Sequence, residues 1–174
     1  MPHWSSIHTV VFDFDGIFTD NRVWTDQFGK ESICCSRSDG LAFDLLHMFI
    51  SNNNWDLNYF ILSKEDNPVV LARAKKLGIP CIQGSINKLE YMNSYLKQGD
   101  LSAEGVLYAG NDLNDLGAMR LAGCSVAPSD AHPLILQLAS IILPQKGGGG
   151  FVRALIEQLL QIDQMSTDEI VSLF

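Results

Sequence analysis

The 174-residue sequence has few basic residues, no cysteine motif and no long apolar run. Its 12 Lys and Arg residues do not cluster and are outnumbered by 20 Asp and Glu residues, so binding to nucleic acid or to an anionic membrane is not expected. The cysteines show no C-x-x-C spacing and are too sparse for a disulfide scaffold, which predicts reduced thiols. Without a signal segment or an apolar run of roughly 18 residues, we expect a cytoplasmic protein with no membrane span.

With 47% apolar residues, the sequence can form the core of one compact domain, which we predict to span residues 1–174. Short apolar segments alternate with segments of helical spacing, which is typical of a parallel sheet covered by helices on both faces. Strands are predicted at residues 7–14, 57–62, 80–82, 106–109, 125–126 and 141–143, and helices at 41–50, 67–77, 87–96, 114–121, 133–138 and 151–162. The predicted fold class is therefore α/β, a Rossmann-like doubly wound parallel sheet.

Two segments lie outside this alternation. Residues 17–33 contain short apolar runs broken by turn residues, which predicts a β-hairpin, here called the flap. Residues 163–174 are predicted to form a tail, within which residues 166–174 are a short capped helix or a frayed end. We also predict that Ser38 and Asp39 cap the helix at 41–50.

Asp13 and Asp15 are separated by one residue at the end of the first predicted strand. Strand alternation would direct both carboxylates to one face, where their repulsion is costly. A divalent cation would relieve it, leaving Asp13 ionised to attack phosphorus while Asp15 holds a proton for the leaving oxygen. Taken alone, the pair could equally be a turn with two solvated aspartates.

Three further polar features follow later predicted strands. Ser63 comes after the second strand, Lys88 opens the helix after the third, and the sequence Gly-Asn-Asp-Leu-Asn-Asp at 110–115 comes after the fourth. Each has an ordinary alternative: a helix cap, a surface charge or a plain turn. Because ligands bind at the carboxyl edge of doubly wound sheets, the order of these features predicts one site.

These features resemble, in order, the four motifs of the haloacid dehalogenase superfamily. The first motif is similar to Asp-Phe-Asp-Gly-Ile-Phe-Thr-Asp, which begins here at Asp13. The resemblance implies a phosphatase in which Asp13 is the nucleophile and Asp15 the general acid and base. It also implies that Ser63 and Lys88 stabilise the transferring phosphoryl group.

The same resemblance implies Mg²⁺ as cofactor, held by Asp13, Asp15 and the fourth motif. The superfamily usually has Asp after the glycine of that motif, whereas this chain has Asn111, so weaker magnesium binding is expected. Asp112 would replace Asn111 if the alignment shifts by one residue, and Asp115 would orient the ligand or a bound water. Sialic-acid-related members share the Gly-Asn-Asp sequence.

The chain has room for the flap but not for the cap domain that most superfamily members carry. It therefore resembles the capless subfamily that includes 3-deoxy-D-manno-octulosonate 8-phosphate phosphatases and domains attached to acylneuraminate cytidylyltransferases. This resemblance implies a homotetramer in which the flaps pack together. Substrate contacts are predicted for Asp39, Gly40, Lys64, Glu65 and Arg153.

The implied substrate is a phosphorylated 2-keto-3-deoxy sugar acid. Glu65 and Gly149 stand where octulosonate phosphatases have arginines, which favours a nine-carbon sialic-type acid over the eight-carbon octulosonate. The alternative is a weakly active or inactive oligomerisation or regulatory module associated with an acylneuraminate cytidylyltransferase. Asn111 keeps this alternative open.

Overall fold

The computed structural model describes residues 1–173; Phe174, at the end of the predicted tail, lies outside them. The strands are β1 (Thr9–Phe12), β2 (Trp24–Thr25), β3 (Glu31–Ser32), β4 (Asn58–Leu62), β5 (Cys81–Ile82), β6 (Val106–Ala109), β7 (Cys124–Pro128) and β8 (Ile141–Leu143). Six of them form one sheet in the order β5-β4-β1-β6-β7-β8, with parallel pairing throughout. Every residue of β1, β6 and β7 is buried, as expected for strands covered on both faces.

Helices cover both faces of this sheet. They are α1 (Ser38–Asn53), α2 (Pro68–Leu77), α3 (Lys88–Gly99), α4 (Leu116–Leu121), α5 (Pro133–Leu138), α6 (Phe151–Leu160) and α7 (Thr167–Val171). Because side chains alternate along a strand, Val10 and Phe12 pack with α1, α2 and α6, whereas Val11 packs with α3, α4 and α5. The two resulting cores fix the sheet between two layers of helices, and the predicted α/β doubly wound fold is confirmed.

The structure corrects several predicted boundaries. The helix predicted at 41–50 begins at Ser38, and its N-cap residue Arg37 makes no side-chain capping bond, so the predicted cap by Ser38 and Asp39 is wrong. Asp39 is instead buried inside the first turn. The segment predicted as a helix at 114–121 starts with a 3₁₀ turn, Leu113–Asp115, before α4. The short strand predicted at 125–126 is the five-residue β7.

The flap is a hairpin, as predicted, but a small one. Its strands β2 and β3 pair antiparallel over two residues each. At the turn, Oδ1 of Asp26 accepts hydrogen bonds from the backbone N–H groups of Phe28 and Lys30, and Gly29 takes the left-handed conformation with φ +78°. Trp24 and Phe28 are 60% and 85% exposed, so the flap projects apolar side chains into solvent.

Two further expectations can be compared with the structure. All four cysteines, Cys34, Cys35, Cys81 and Cys124, are free thiols, as predicted. Within residues 1–173, no helix has both the length and the apolar character needed to cross a membrane.

Candidate active site

The strand order reverses between β1 and β6, and the loops that follow these two strands open a crevice at the carboxyl edge of the sheet. A cavity of about 480 Å³ lies there, bounded on one side by the flap. Asp13, Asp15, Ser63 and Asn111 all line it. The structure therefore brings together residues from three separate strand ends, as the sequence analysis predicted.

Lys88 lies beneath this cavity and joins two carboxylates. Its Nζ lies 2.6 Å from Oδ1 of Asp13 and 2.7 Å from Oδ1 of Asp115, and its side chain is fully buried. The lysine is the first residue of α3, whose N-cap is Asn87. Because an unpaired buried ammonium would be costly, the two carboxylates explain why Lys88 can occupy this position.

Asp115 is held by four hydrogen bonds. Its Oδ1 accepts from Lys88 Nζ at 2.7 Å and from the hydroxyl of Tyr108 at 3.0 Å. Its Oδ2 accepts from the backbone N–H groups of Asn111 at 3.0 Å and Asp112 at 3.3 Å. With both oxygens occupied, Asp115 holds Lys88 and the 110–115 loop in place, and its role in orienting the metal ligand or a bound water stays a prediction.

The electrostatics of this cluster leave one negative charge uncompensated. Burial would lower the pKa of Lys88, but Asp13 and Asp115 outweigh it, so its pKa is raised and the ammonium stays charged. Burial and the charge of Asp115 raise the pKa of Asp13 well above its usual range, and Lys88 lowers it only in part. Two buried carboxylates thus share one cation, and a bound divalent cation would balance the remaining charge.

Asp15 is less buried than Asp13. Burial raises the pKa of its carboxyl, the negative charge of Glu65 raises it further, and Lys88 opposes both effects. A carboxyl with a raised pKa carries a proton at higher pH than an ordinary aspartic acid does. Asp15 therefore has the protonation behaviour that a general acid needs.

The residues around Asp13 offer oxygen atoms to a cation. Within residues 1–173 no group of three or more His, Cys, Asp or Glu side chains is arranged to hold a metal. The amide oxygen Oδ1 of Asn111 supplies the missing donor: it is buried and accepts no hydrogen bond from the described residues. Oxygen donors from Asp13, Asp15 and Asn111 match the preference of Mg²⁺ for oxygen ligands, so these residues fit this cofactor.

Ser63 follows β4 and is only 1% exposed. Its backbone N–H donates to the Ile82 carbonyl at 2.9 Å, and its own carbonyl accepts from the N–H of Ser85 at 3.1 Å. Its Oγ accepts from the N–H of Glu65 at 3.2 Å, which leaves the hydroxyl proton available to a ligand. The hydroxyl is thus fixed at the cavity wall by the loop that leads to Lys88.

A profile of the haloacid dehalogenase-like hydrolase family matches residues 36–155. The chain belongs to this family. The 3-deoxy-D-manno-octulosonate 8-phosphate phosphatase of Escherichia coli is 30% identical over 161 residues, covering 92% of this chain and 82% of the relative. At the level of the family, the predicted phosphoric monoester hydrolase and its magnesium cofactor are confirmed.

Solved structures of two octulosonate 8-phosphate phosphatases share the fold. The enzyme of Yersinia pestis is 31% identical with a TM-score of 0.80, covering 92% of this chain and 84% of that one. The enzyme of Moraxella catarrhalis is 27% identical with a TM-score of 0.83, covering 97% and 94%, and its structure contains a magnesium ion, a phosphate ion and KDO. The predicted resemblance to this capless group is confirmed.

The substrate contacts predicted for this haloacid dehalogenase-like hydrolase fall in two places. Lys64 and Glu65 line the cavity beside Ser63. Asp39, Gly40 and Arg153 are not among its lining residues. Asp39 is buried at the start of α1, where neither carboxylate oxygen accepts a hydrogen bond from the described residues, and Arg153 pairs with Glu157 along α6.

Sequence reasoning missed four residues at the site of this hydrolase. Tyr108 lies in the apolar run of β6, and its hydroxyl reaches Asp115. Thr19 lies inside the first motif, and its buried Oγ1 accepts from the N–H of Gly16 at 3.2 Å. Glu31 and Asn67 line the cavity and hydrogen-bond to each other. Only Thr19, as part of a recognised motif, carried a signal that could have found it.

Proposed function

We propose that the protein is a Mg²⁺-dependent phosphatase that hydrolyses a phosphorylated 2-keto-3-deoxy sugar acid through an aspartyl-phosphate on Asp13. The observation that carries the proposal is the buried ammonium of Lys88, 2.6 Å from Asp13 and 2.7 Å from Asp115, directly below a cavity lined by Asp15, Ser63 and Asn111. Such an arrangement concentrates positive charge where a phosphoryl group is transferred. A plain turn or a structural salt bridge would not place a hydroxyl, an acid and an amide oxygen around it.

The first step forms a bond between Asp13 and phosphorus. Oδ1 of Asp13 accepts from Lys88 Nζ at 2.6 Å and from the Phe14 N–H at 2.7 Å, so Oδ2 is the oxygen free to attack. As the bond from phosphorus to the ester oxygen breaks, Asp15 donates its proton to the departing alkoxide. The hydroxyl of Ser63 and the ammonium of Lys88 stabilise the transferring phosphoryl oxygens.

The second step releases phosphate. Asp15, now ionised, accepts a proton from a water that attacks the phosphorus, and the bond to Asp13 breaks. Asp13, Asp15 and Asn111 would hold magnesium, which would supply neutralising charge for the anionic reactants. Asp115 keeps Lys88 in place through both steps.

For the substrate we propose a nine-carbon sialic-type acid phosphate, with the eight-carbon octulosonate 8-phosphate as the competing choice. The relatives named above act on the eight-carbon compound. The support for nine carbons is Glu65, which lines the cavity and lies close enough to Asp15 to raise the pKa of that carboxyl. Glu65 stands where octulosonate phosphatases have an arginine, so the charge that this position presents to the substrate is reversed.

We further propose that the whole chain is one domain that assembles as a cytoplasmic homotetramer through the flaps. The exposed Trp24 and Phe28 on the flap support this assembly, because large apolar side chains grouped on one projection favour contact with another subunit. The neutral Asn111 favours a second candidate, a weakly active or inactive oligomerisation or regulatory module.

Phosphate release from both ulosonate phosphates, measured with and without Mg²⁺, tests the proposal. The phosphatase hypothesis predicts Mg²⁺-dependent turnover that Asp13→Asn abolishes, with the nine-carbon compound preferred. A well-folded tetramer that releases no phosphate from either compound would instead support the module. Light scattering of the same sample measures the oligomeric state.

A further inference from the structure

Asn67 makes hydrogen bonds to three different segments of the chain. Its side-chain oxygen accepts from the backbone N–H of Val69 at 3.0 Å and so caps α2. Its side-chain amide donates to Oε2 of Glu31 on the flap strand β3. Its backbone carbonyl accepts from the side-chain amide of Gln83 at 2.7 Å. One residue therefore ties together a helix, the flap and a loop.

Two of the three segments joined by Asn67 line the cavity, α2 through Val69 and Val70 and the flap through Glu31. Asn67 itself follows the Ser63 loop, Gln83 lies in the loop that leads to Lys88, and Glu31 belongs to the flap. Glu31 and Asn67 both line the cavity, and the charge of Glu31 contributes to the raised pKa of Asp15. The Glu31 carboxylate is therefore held within electrostatic reach of the general acid.

The base of the flap is anchored, since Ile17, Phe18 and Thr19 are buried and the Ile17 carbonyl accepts from the Gly148 N–H at 3.0 Å. Beyond this base, the bond from Asn67 to Glu31 is the one hydrogen bond that joins residues 20–32 to any part of the described chain outside the flap. The flap's own pairing covers two residues per strand, and β2 is exposed. A second bond to α2, from the Arg73 guanidinium to the Ser36 carbonyl at 2.6 Å, anchors the segment after the hairpin rather than the hairpin itself. A hydrogen bond from an amide to a carboxylate is charge-assisted. The Glu31–Asn67 bond is therefore stronger than the backbone hydrogen bonds that pair β2 with β3.

We propose that Asn67 is a positioning residue that latches the flap, through Glu31, over the part of the cavity that receives the leaving group. This inference rests on the proposed phosphatase function. The latch acts on substrates whose sugar extends under the flap, because these need the flap in place. A small aryl phosphate reaches the Asp13 end of the cavity without spanning the flap, so it depends on the latch less.

Variants that swap the hydrogen-bond donor and acceptor between Asn67 and Glu31 test whether their bond holds the flap. Asn67→Asp preserves the α2 cap, since Asp and Asn are equally good N-caps, but it sets a carboxylate against Glu31. Glu31→Gln keeps an acceptor for the Asn67 amide. The double variant N67D/E31Q restores the bond with its direction reversed, because the glutamine amide introduced on the flap can donate to the carboxylate introduced at the helix cap.

The readout is the ratio of kcat/KM for the ulosonate phosphate that wild type hydrolyses faster, nine-carbon or eight-carbon, to kcat/KM for p-nitrophenyl phosphate. We expect Asn67→Asp to lower this ratio by about tenfold or more, and the double variant to return it to within about threefold of wild type. Asn93→Asp, an exposed change of the same chemistry on α3, controls for added charge. Equal loss in Asn67→Asp and in the double variant, or no loss in either, would overturn the proposal.

Hydrogen exchange of flap residues 22–33 separates the latch from the chemistry. We expect faster exchange in Asn67→Asp and recovery in the double variant, whether or not either phosphate compound is hydrolysed. If wild type hydrolyses neither the two ulosonate phosphates nor p-nitrophenyl phosphate in the presence of Mg²⁺, the proposed function fails while exchange still decides the latch. Unchanged flap exchange in Asn67→Asp would contradict the latch even in an active enzyme.

Discussion

A Cβ atom placed on Gly16 would lie 2.0 Å from Nδ2 of Asn111, closer than any real contact allows. Gly16 also has a φ of +79°, in the left-handed region. The backbone after Asp15 can pass beneath the Asn111 amide only because residue 16 has no side chain. This packing fixes the Asn111 side chain at the cavity that Asp13 and Asp15 also line.

Gly16→Ala should therefore weaken magnesium binding. The new methyl group displaces the Asn111 side chain, and we expect the Mg²⁺ concentration for half-maximal activity to rise by about tenfold or more. Gly29→Ala is a matched control, because Gly29 has nearly the same φ, +78°, but open space around its Cβ position. An equal rise in both variants would show that backbone strain, rather than contact with Asn111, is responsible.

Asn111→Asp should tighten magnesium binding. It replaces a neutral oxygen donor by an anionic one, so less Mg²⁺ should be needed for half-maximal activity, by about tenfold. Titration of activity with Mg²⁺ measures this. If Asp112 were the direct ligand, Asp112→Asn would raise the Mg²⁺ requirement and Asn111→Asp would leave it unchanged, which would contradict the assignment of Asn111.

Tyr108→Phe should lower activity through Asp115. Removing the hydroxyl takes one of four hydrogen bonds from a buried carboxylate that positions Lys88. We expect a loss of about 1–2 kcal/mol in the free energy of unfolding and a fall of several-fold in kcat. Tyr95→Phe removes a hydroxyl bonded to Thr9, away from the cavity, and should lower stability without the fall in kcat. Equal effects on kcat would contradict the positioning role.

Asp39 should make stability depend on pH. Burial raises the pKa of its carboxyl from 3.8 to about 6, against the opposing effect of Arg73. The folded protein thus binds this proton more tightly than the unfolded chain, so the stabilisation is complete below about pH 4 and is lost as pH rises through 6. At pH 7 the free energy of unfolding is lower by about 3 kcal/mol than it would be with Asp39 protonated in both states, from roughly two pKa units at 1.36 kcal/mol each.

Asp39→Asn removes the cost of burying this carboxylate in its ionised form. Urea unfolding should show the variant more stable than wild type by about 1–3 kcal/mol at pH 7, with the difference closing below pH 4. Asp44→Asn, an exposed change on the same helix, should show no such pH-dependent gain. A constant difference across the pH range would mean that Asp39 keeps its charge when folded.

The convergence of the motif residues was predictable from sequence, whereas their supporting contacts were not. Parallel strands end at one edge, so Asp13, Ser63 and the 110–115 loop had to meet wherever the alternation of strands and helices was read correctly. The predicted start of α1 was wrong. Asp39 is buried near Arg73 of α2 and Arg153 of α6, and this packing outweighed the capping preference of Ser38 and Asp39.

Contacts between distant polar residues left no local signal. Glu31 and Asn67 are 36 positions apart, and each has an ordinary local role, in a flap strand and in a helix cap. Tyr108 sits within an apolar run, so nothing in the sequence indicates that its hydroxyl reaches Asp115. Only the strand register and the loop conformation bring such pairs together.

The most direct test of the proposed mechanism is chemical trapping of the phosphorylated enzyme. Asp15→Asn should slow hydrolysis of the intermediate, so it accumulates after mixing with Mg²⁺ and p-nitrophenyl phosphate, whose leaving group departs without a proton from Asp15. Borohydride reduces an acyl phosphate to an alcohol, which converts a phosphorylated aspartate to homoserine. Nucleophilic attack by Asp13 predicts homoserine at position 13 and nowhere else. Substrate turnover with unmodified Asp13, or homoserine at another position, would contradict it.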